Sequence, residues 1–298
     1  MDEEQYCQDI FDRTLKLSNL SIIEPISIGQ LTDWYSQFEK SEKILAALIL
    51  DQLVVRSKRQ VSALIDFLFL HSQSAGQESS MDDSAFIRSL TNKHKDIGIK
   101  LAPVLGENHP PTKSGPYILR LIQRKYAIAD RHLTWPAKAL ELQQNELTKL
   151  ILVDDFAGTG KQFCNFINDS GLSKLPTSHP KTKVFLLCLA AHKTAIEKIR
   201  TTYPWITVFH ADYLGPEHHF LSGEYFQRIS KSTGINLDQE KVRGLYDDVY
   251  SRAGCRAKNM KMGYGDLGLC YAFYHATPNN TIPLLWYQSS DWKPLIHR

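Results

Sequence analysis

No stretch of this sequence holds the roughly 18 consecutive apolar residues that a membrane-spanning helix needs, so a membrane protein is not expected. Charge of one sign is lacking too: 35 Lys and Arg face 32 Asp and Glu, and a formal net charge of +3 gives no sign of a dedicated polyanion binder. That balance allows a nucleic-acid partner without indicating one. Cysteine is sparse. The five thiols, Cys7, Cys164, Cys188, Cys255 and Cys270, are odd in number and widely spaced, and three sit in apolar runs, which argues against a disulfide framework or a structural metal and reads as buried thiols in a reducing compartment. The opening MDEEQY is acidic where a secretory signal would be basic, so the expected location is cytoplasmic. No internal repeat is present.

The 298 residues suffice for one large domain or a core with an extension. Up to about residue 72 the pattern is helical, because Ile44, Leu45, Leu48, Ile49 and Leu53 recur at three- and four-residue spacing. The polar stretch Ser72 to Ser84 then reads as an exposed loop or soft boundary. From Ile99 short apolar runs alternate with helical patterns, the rhythm of βαβ units feeding a parallel sheet. Lys149 to Val153 is nearly all apolar, as in a central strand covered on both faces. The expected architecture is α/β: a helical N-terminal extension over residues 1–95, then a parallel-sheet domain over 96–298 with helices on both faces and a C-terminal β addition. In that addition Leu267 to Tyr287 is expected to form two strands joined by a Thr277-Pro-Asn-Asn turn, with Asn279 and Asn280 as turn formers.

The chemistry concentrates in Ile151-Leu-Val-Asp-Asp-Phe-Ala-Gly-Thr-Gly-Lys-Gln162, where a buried strand is expected to end on two carboxylates and pass through a glycine turn into a helix. Ligands of open parallel sheets bind at that end of the strands. Gly158 and Gly160 let successive backbone N–H groups converge, and the helix beginning near Lys161 adds its N-terminal dipole, making a cup for a phosphate. The P-loop of nucleoside triphosphatases is a poor match: it needs glycine where Asp155 stands and Ser or Thr where Gln162 stands. A pentose accounts for the acids better. Asp154 and Asp155 can accept hydrogen bonds from vicinal ring hydroxyls, or help hold Mg²⁺ against hydroxyls and pyrophosphate. The plain alternative is an ordinary strand-turn-helix with an Asp cap.

Apolar residues, Asp-Asp, two residues and then Gly-Thr-Gly-Lys resemble the phosphoribosyl-pyrophosphate (PRPP) loop of type I phosphoribosyltransferases. The resemblance implies a phosphoribosyltransferase-type core, with Asp154 and Asp155 at the ribose hydroxyls and Gly158, Thr159, Gly160, Lys161 and Gln162 around the 5′-phosphate. Two departures stand out. Many members carry an acid or Thr where this chain has Gly158, removing a general base, and Thr or Ser in place of Gln162. A second resemblance rests on Met262-Gly-Tyr-Gly-Asp266, Thr277-Pro-Asn-Asn-Thr-Ile-Pro283, Leu-Leu-Trp286 and Trp292-Lys-Pro-Leu295. These are similar to the phosphoribosyltransferase-like family of bacterial conflict systems, PRTase-CE, and imply a role in defence against phage beside a partner protein encoded nearby. Two function classes stay open: a PRPP-using transferase assisted by Mg²⁺, and a non-catalytic module that senses PRPP or a nucleotide and regulates a partner protein, which the missing base at Gly158 favours.

Other residues complete the expected site. Gly106 to Gly115 follows a strand and precedes a helix, so Lys113 with the N–H groups of Ser114 and Gly115 is expected to bind the leaving pyrophosphate, unless this is only a capped surface loop. Lys258 and Lys261 with Tyr264 read as a lid or base pocket, in which the ring stacks on a base, or as a solvated basic loop. Asp212 and Tyr213 sit at the right end of a strand to reach a ligand. His218 and His219 lack spaced partners for a metal.

Overall fold

The alternation that begins at Ile99 is realised almost run for run. The computed structural model describes residues 1–74, 83–106, 110, 113–256 and 260–298. In chain order its elements are α1 (Glu3–Asn19), α2 (Ile28–Ser36), α3 (Lys43–Gln52), β1 (Val54–Arg56), α4 (Lys58–Ser74), α5 (Asp83–Thr91), β2 (Ile99–Pro103) and α6 (Ser114–Tyr126). There follow β3 (Lys149–Ala157), α7 (Lys161–Asp169), α8 (Leu175–Ser178), β4 (Lys183–His192), α9 (Lys193–Thr202), β5 (Ile206–Leu214), α10 (Gly223–Thr233), α11 (Gln239–Arg252), β6 (Tyr271–Phe273) and α12 (Pro283–Trp286). The chain divides into two compact units, one of residues 62–214 and one of 1–61 with 215–298. This division does not follow the boundary near residue 95 expected from the sequence. Among the described residues no helix is long and apolar enough to cross a membrane.

Within the unit of residues 62–214, β2, β3, β4 and β5 lie in that order in a wholly parallel sheet. β3 is paired on both sides, with Ile151 aligned to Leu101 on β2 and to Phe185 on β4, and so is central as expected. Its apolar run is continuous because both faces are covered. Leu150 and Leu152 share a core with Phe163, Phe166 and Ile167 of α7 and Ile196 and Ile199 of α9. On the other side Val153, Leu187 and Leu189 meet Ile65, Leu68 and Phe69 of α4 and Ile118 and Ile122 of α6. Each such aliphatic side chain contributes about 1.5–3 kcal/mol by leaving water. At the start of β3, Lys149 is buried, its ammonium 5.1 Å from the Phe185 ring centre and 5.7 Å from that of Phe86.

In the unit of residues 1–61 and 215–298, α3 is buried from Ile44 to Leu50, which fits the helical spacing read from the sequence. Trp292 packs edge-on to Phe38 at 5.2 Å and to Trp34 at 6.4 Å. Both indole N–H groups donate to the Leu284 carbonyl, at 2.9 Å from Trp34 and 3.0 Å from Trp292, so these buried donors are satisfied. The expected pair of C-terminal strands is not formed. Instead β6 pairs in parallel with β1, Val54 opposite Tyr271, while Leu269 and Thr281 make a single bridge and the chain turns into α12. The Asn-containing turn does a different job from closing a hairpin. Asn280 is buried and its Nδ2 donates to the Tyr264 carbonyl at 2.6 Å, while the Tyr264 N–H donates to the Asn279 carbonyl at 2.7 Å. The two late signature segments thus hold each other. A Cβ on Gly263, whose φ is +75°, would stand 2.2 Å from the Asn280 oxygen, so only glycine fits there.

Candidate functional site

β3 does not stop at its acids; it runs on to Ala157, pairing Phe156 with Ala190 and Ala157 with Ala191. Asp154 and Asp155 therefore lie inside the strand and are both buried at 6 % exposure. Buried carboxylates need partners. The Asp155 N–H donates to Asp154 Oδ1 at 3.0 Å, and the Ser114 hydroxyl donates to Asp155 Oδ1 at 2.6 Å. Burial foremost, and then the charge of Asp155, hold the Asp154 carboxyl well above the usual carboxylate range, while Lys113 pulls it back down. Asp154 also lines a void of about 10 Å³ whose other walls, Ile65, Leu68, Phe69, Ile118, Ile122, Val153, Leu187 and Leu189, are all apolar.

The upstream segment comes to this pair through the start of α6. Lys113 occupies the N-cap position without making a side-chain capping bond, and Ser114 opens the helix. Gly115 packs so closely that a Cβ would meet the backbone of Val104 at 3.1 Å and the Val153 oxygen at 3.2 Å. Its missing side chain lets α6 begin flush against the ends of β2 and β3. The structure so brings Lys113, Ser114 and Gly115 together with Asp154 and Asp155.

Between β3 and α7 the chain turns at Gly158, Thr159 and Gly160. Gly160 caps α7 in the left-handed conformation, φ +73°, with the Ala195 Cα of α9 only 3.2 Å from where a Cβ would stand. Thr159 Oγ1 accepts from the Lys161 N–H at 3.4 Å, and Lys161 and Gln162 expose their side chains. The first N–H groups of a helix have no partner within it, so this turn presents donors and a positive dipole end. Beside it, His192 ends β4 and caps α9, its Nδ1 accepting from the Thr194 N–H at 3.2 Å. His192 belongs to no sequence motif; its one signal is a polar residue closing the apolar run of β4. Asp212 and Tyr213 lie within β5, opposite Ala190 and Ala191, rather than beyond its end.

Lys261 and Tyr264 belong to the other compact unit. Lys261 pairs with Asp247 at 2.6 Å, and Tyr264 is held by Asn279 and Asn280 as described. Lys258 lies outside the described residues. His218 and His219 act as local acceptors, taking the N–H of Gly215 and of Leu221 at 3.0 Å each. Among the described residues no group of three or more His, Cys, Asp or Glu could hold a metal ion by itself. Mg²⁺ characteristically takes only one or two carboxylates and completes its shell with phosphate oxygens and water. The pair Asp154 and Asp155 fits that more modest donor set.

The model of the PRTase-CE family matches residues 31–298. No curated protein matches. Among solved structures, an orotate phosphoribosyltransferase from Aeropyrum pernix is 14 % identical, over 60 % of this chain and 78 % of that one, with a TM-score of 0.29. The AQ2163 protein from Aquifex aeolicus is 12 % identical, over 63 % of this chain and 83 % of that one, with a TM-score of 0.33.

Proposed function

We propose that this chain, which belongs to the PRTase-CE family, binds PRPP or a related ribose phosphate where β3 passes into α7, and that it is a cytoplasmic phosphoribosyltransferase. The observation that carries this reading is the hydrogen bond from Ser114 to Asp155, which ties the segment expected to hold pyrophosphate to the acids expected to hold the ribose. The N–H groups of Gly158 to Gln162 and the dipole of α7 would receive the 5′-phosphate, with the Thr159 hydroxyl beside them. Asp154 and Asp155 would face the ribose hydroxyls, and they would hold Mg²⁺, whose charge offsets that of the pyrophosphate. Lys113, with the N–H groups of Ser114 and Gly115, would take the pyrophosphate as its bond to C1 breaks. An acceptor then forms the new bond at C1 and loses its proton. From the family alone comes the further proposal of an effector in a bacterial anti-phage or conflict system, acting with a partner protein encoded nearby.

A second reading is favoured by Gly158, which offers no side chain where many transferases of this type carry an acid. In that reading the chain senses PRPP or a nucleotide without transfer and regulates a partner. Titration calorimetry with PRPP and Mg²⁺, followed by assay of pyrophosphate release with pooled bases and nucleotides, separates the two. Binding with release supports the transferase, binding without release supports the sensor, and no binding removes both.

A further inference from the structure

Helix α6 has two working faces. Gly115, Ile118 and Ile122 turn into the core, as the 3.6-residue period requires of one stripe. A second stripe, Pro116, Leu119, Arg120, Gln123, Arg124 and Ala127, lines an open groove of about 790 Å³. Leu133, Thr134 and Trp135 line it as well, with Pro103, Ile128 and Lys93 completing the lining. That volume falls within the roughly 300–1,000 Å³ of small-molecule sites. All of these residues lie in the unit of residues 62–214.

Two features of the groove call for a ligand. The first is an unspent positive charge. Among the described residues Lys93, Arg120 and Arg124 make no ion pair, whereas the neighbouring Lys125 is used up by Asp66 at 2.7 Å. The adjoining acid Asp130 is engaged by Gln123 Nε2 at 2.7 Å. Arg120 and Arg124 are one helical turn apart, neighbours on the helix surface. The second feature is Trp135, 55 % exposed beside an apolar floor. It stands on a fixed platform: Leu133 bridges Leu101 of the edge strand β2, the Thr134 N–H donates to the Leu101 carbonyl at 2.9 Å, and the Leu133 N–H donates to that of Asp130 at 2.9 Å. An exposed indole and two guanidinium groups without an ion pair among the described residues, lining one groove, suit a planar aromatic ring that carries adjacent negative groups.

We propose that this groove is a second ligand site that takes a nucleoside polyphosphate, its base stacked on Trp135 and its phosphates on Arg120 and Arg124. The site shares no residue with the turn between β3 and α7 and stands whether or not that turn binds PRPP. A free nucleotide is favoured over a nucleic-acid strand because only Lys93, Arg120 and Arg124 line the groove with positive charge and the chain's net charge is only +3.

The probe is the fluorescent nucleotide mant-ATP, titrated against the full chain and followed by anisotropy, with circular dichroism to check that each variant is folded. Saturable binding is expected, weakened about tenfold or more by Trp135→Ala and by the double variant Arg120→Ala with Arg124→Ala. Asp154→Asn with Asp155→Asn is expected to bind mant-ATP like the parent chain. Lack of saturable binding to the parent, equal binding by all variants, or loss in the aspartate variant alone would overturn the proposal. Competition supplies the remaining arm. Displacement by unlabelled ATP supports a free nucleotide, and displacement only by a thymidine oligonucleotide overturns it in favour of a strand.

Discussion

The Ser114 hydroxyl donates to Asp155 Oδ1 at 2.6 Å, across 41 residues of chain, and so couples the start of α6 to the acids of β3. Removing one partner of a buried hydrogen bond costs about 1–3 kcal/mol. Ser114→Ala is therefore expected to lower stability by about 1–2 kcal/mol and to weaken PRPP binding about tenfold or more, because Asp155 loses the contact that orients it. Calorimetry and urea denaturation of the same preparation measure both effects. Undiminished affinity would separate the upstream segment from the ligand.

Asp154→Asn with Asp155→Asn is expected to leave the fold intact and to abolish detectable binding of PRPP in the presence of Mg²⁺. The amides keep the shape but put an NH₂ group, which neither binds a cation nor accepts from a ribose hydroxyl, in place of one oxygen of each side chain. Thr159→Val is expected to be milder, costing roughly 1 kcal/mol of phosphate affinity through one lost hydroxyl. Unchanged calorimetric binding in the double variant would remove the site from this strand altogether.

The raised affinity of Asp154 for its proton gives a pH dependence with a definite sign. In the folded chain this carboxyl keeps a proton that the unfolded chain releases near its ordinary value of about 3.9. The native state then binds more protons than the unfolded one, so stability falls as pH rises from that value through the higher folded one. Asp154→Asn cannot ionise. The difference in urea midpoint between variant and parent is expected to grow in the variant's favour as pH rises above about 4. A flat difference would mean that Asp154 is ionised in the folded chain throughout.

Which parts of this were legible in the sequence follows from the range of the interactions involved. The strands and helices between Ile99 and Leu214 were legible because each is set by its own apolar period, and β3 declared its central place through a run with no polar break. The run-on of β3 past Asp155 was not. Those acids are satisfied by Ser114 and by each other rather than by a turn, and no local pattern reports a partner 41 residues away. The expected C-terminal hairpin failed for the same reason: β6 takes its partner from β1, more than 200 residues earlier. Asn280 read as a turn former because its turn chemistry is local, while its bond to Tyr264 is not. His192 carried no motif at all and is found only where β4 passes into α9.

The hold of Asn280 on the 262–266 segment makes a sharp comparison between two glycines. Gly263 and Gly234 both have left-handed backbones, φ +75° and +77°, but a Cβ on Gly234 meets nothing within 4 Å, whereas one on Gly263 would stand 2.2 Å from the Asn280 oxygen. Gly234→Ala carries only the conformational cost, about 1–2 kcal/mol. Gly263→Ala carries that and a displacement of the 277–283 turn, and is expected to cost on the order of 4 kcal/mol or to prevent folding. Thermal melts of the two variants side by side decide it; equal losses would mean that the turn yields freely.

Lys149 offers the converse case, a residue whose removal should help. Its ammonium is buried between the rings of Phe86 and Phe185, with no hydrogen-bond partner among the described residues. Burial foremost, and then the charge of Lys183, lowers its affinity for the proton. Here the unfolded chain binds the proton more tightly, so stability is lost as pH falls through the range where the unfolded lysine is charged and the folded one resists charging. Ring faces attract a cation by about 0.5–2 kcal/mol, less than the several kcal/mol that an unpaired buried charge costs. Lys149→Met, which keeps the length and the apolar stem, is expected to raise stability at neutral pH by roughly 1–3 kcal/mol and to flatten the decline toward acid. Urea denaturation at neutral and alkaline pH measures both. A variant less stable than the parent at neutral pH would show that the two rings compensate the buried charge in full.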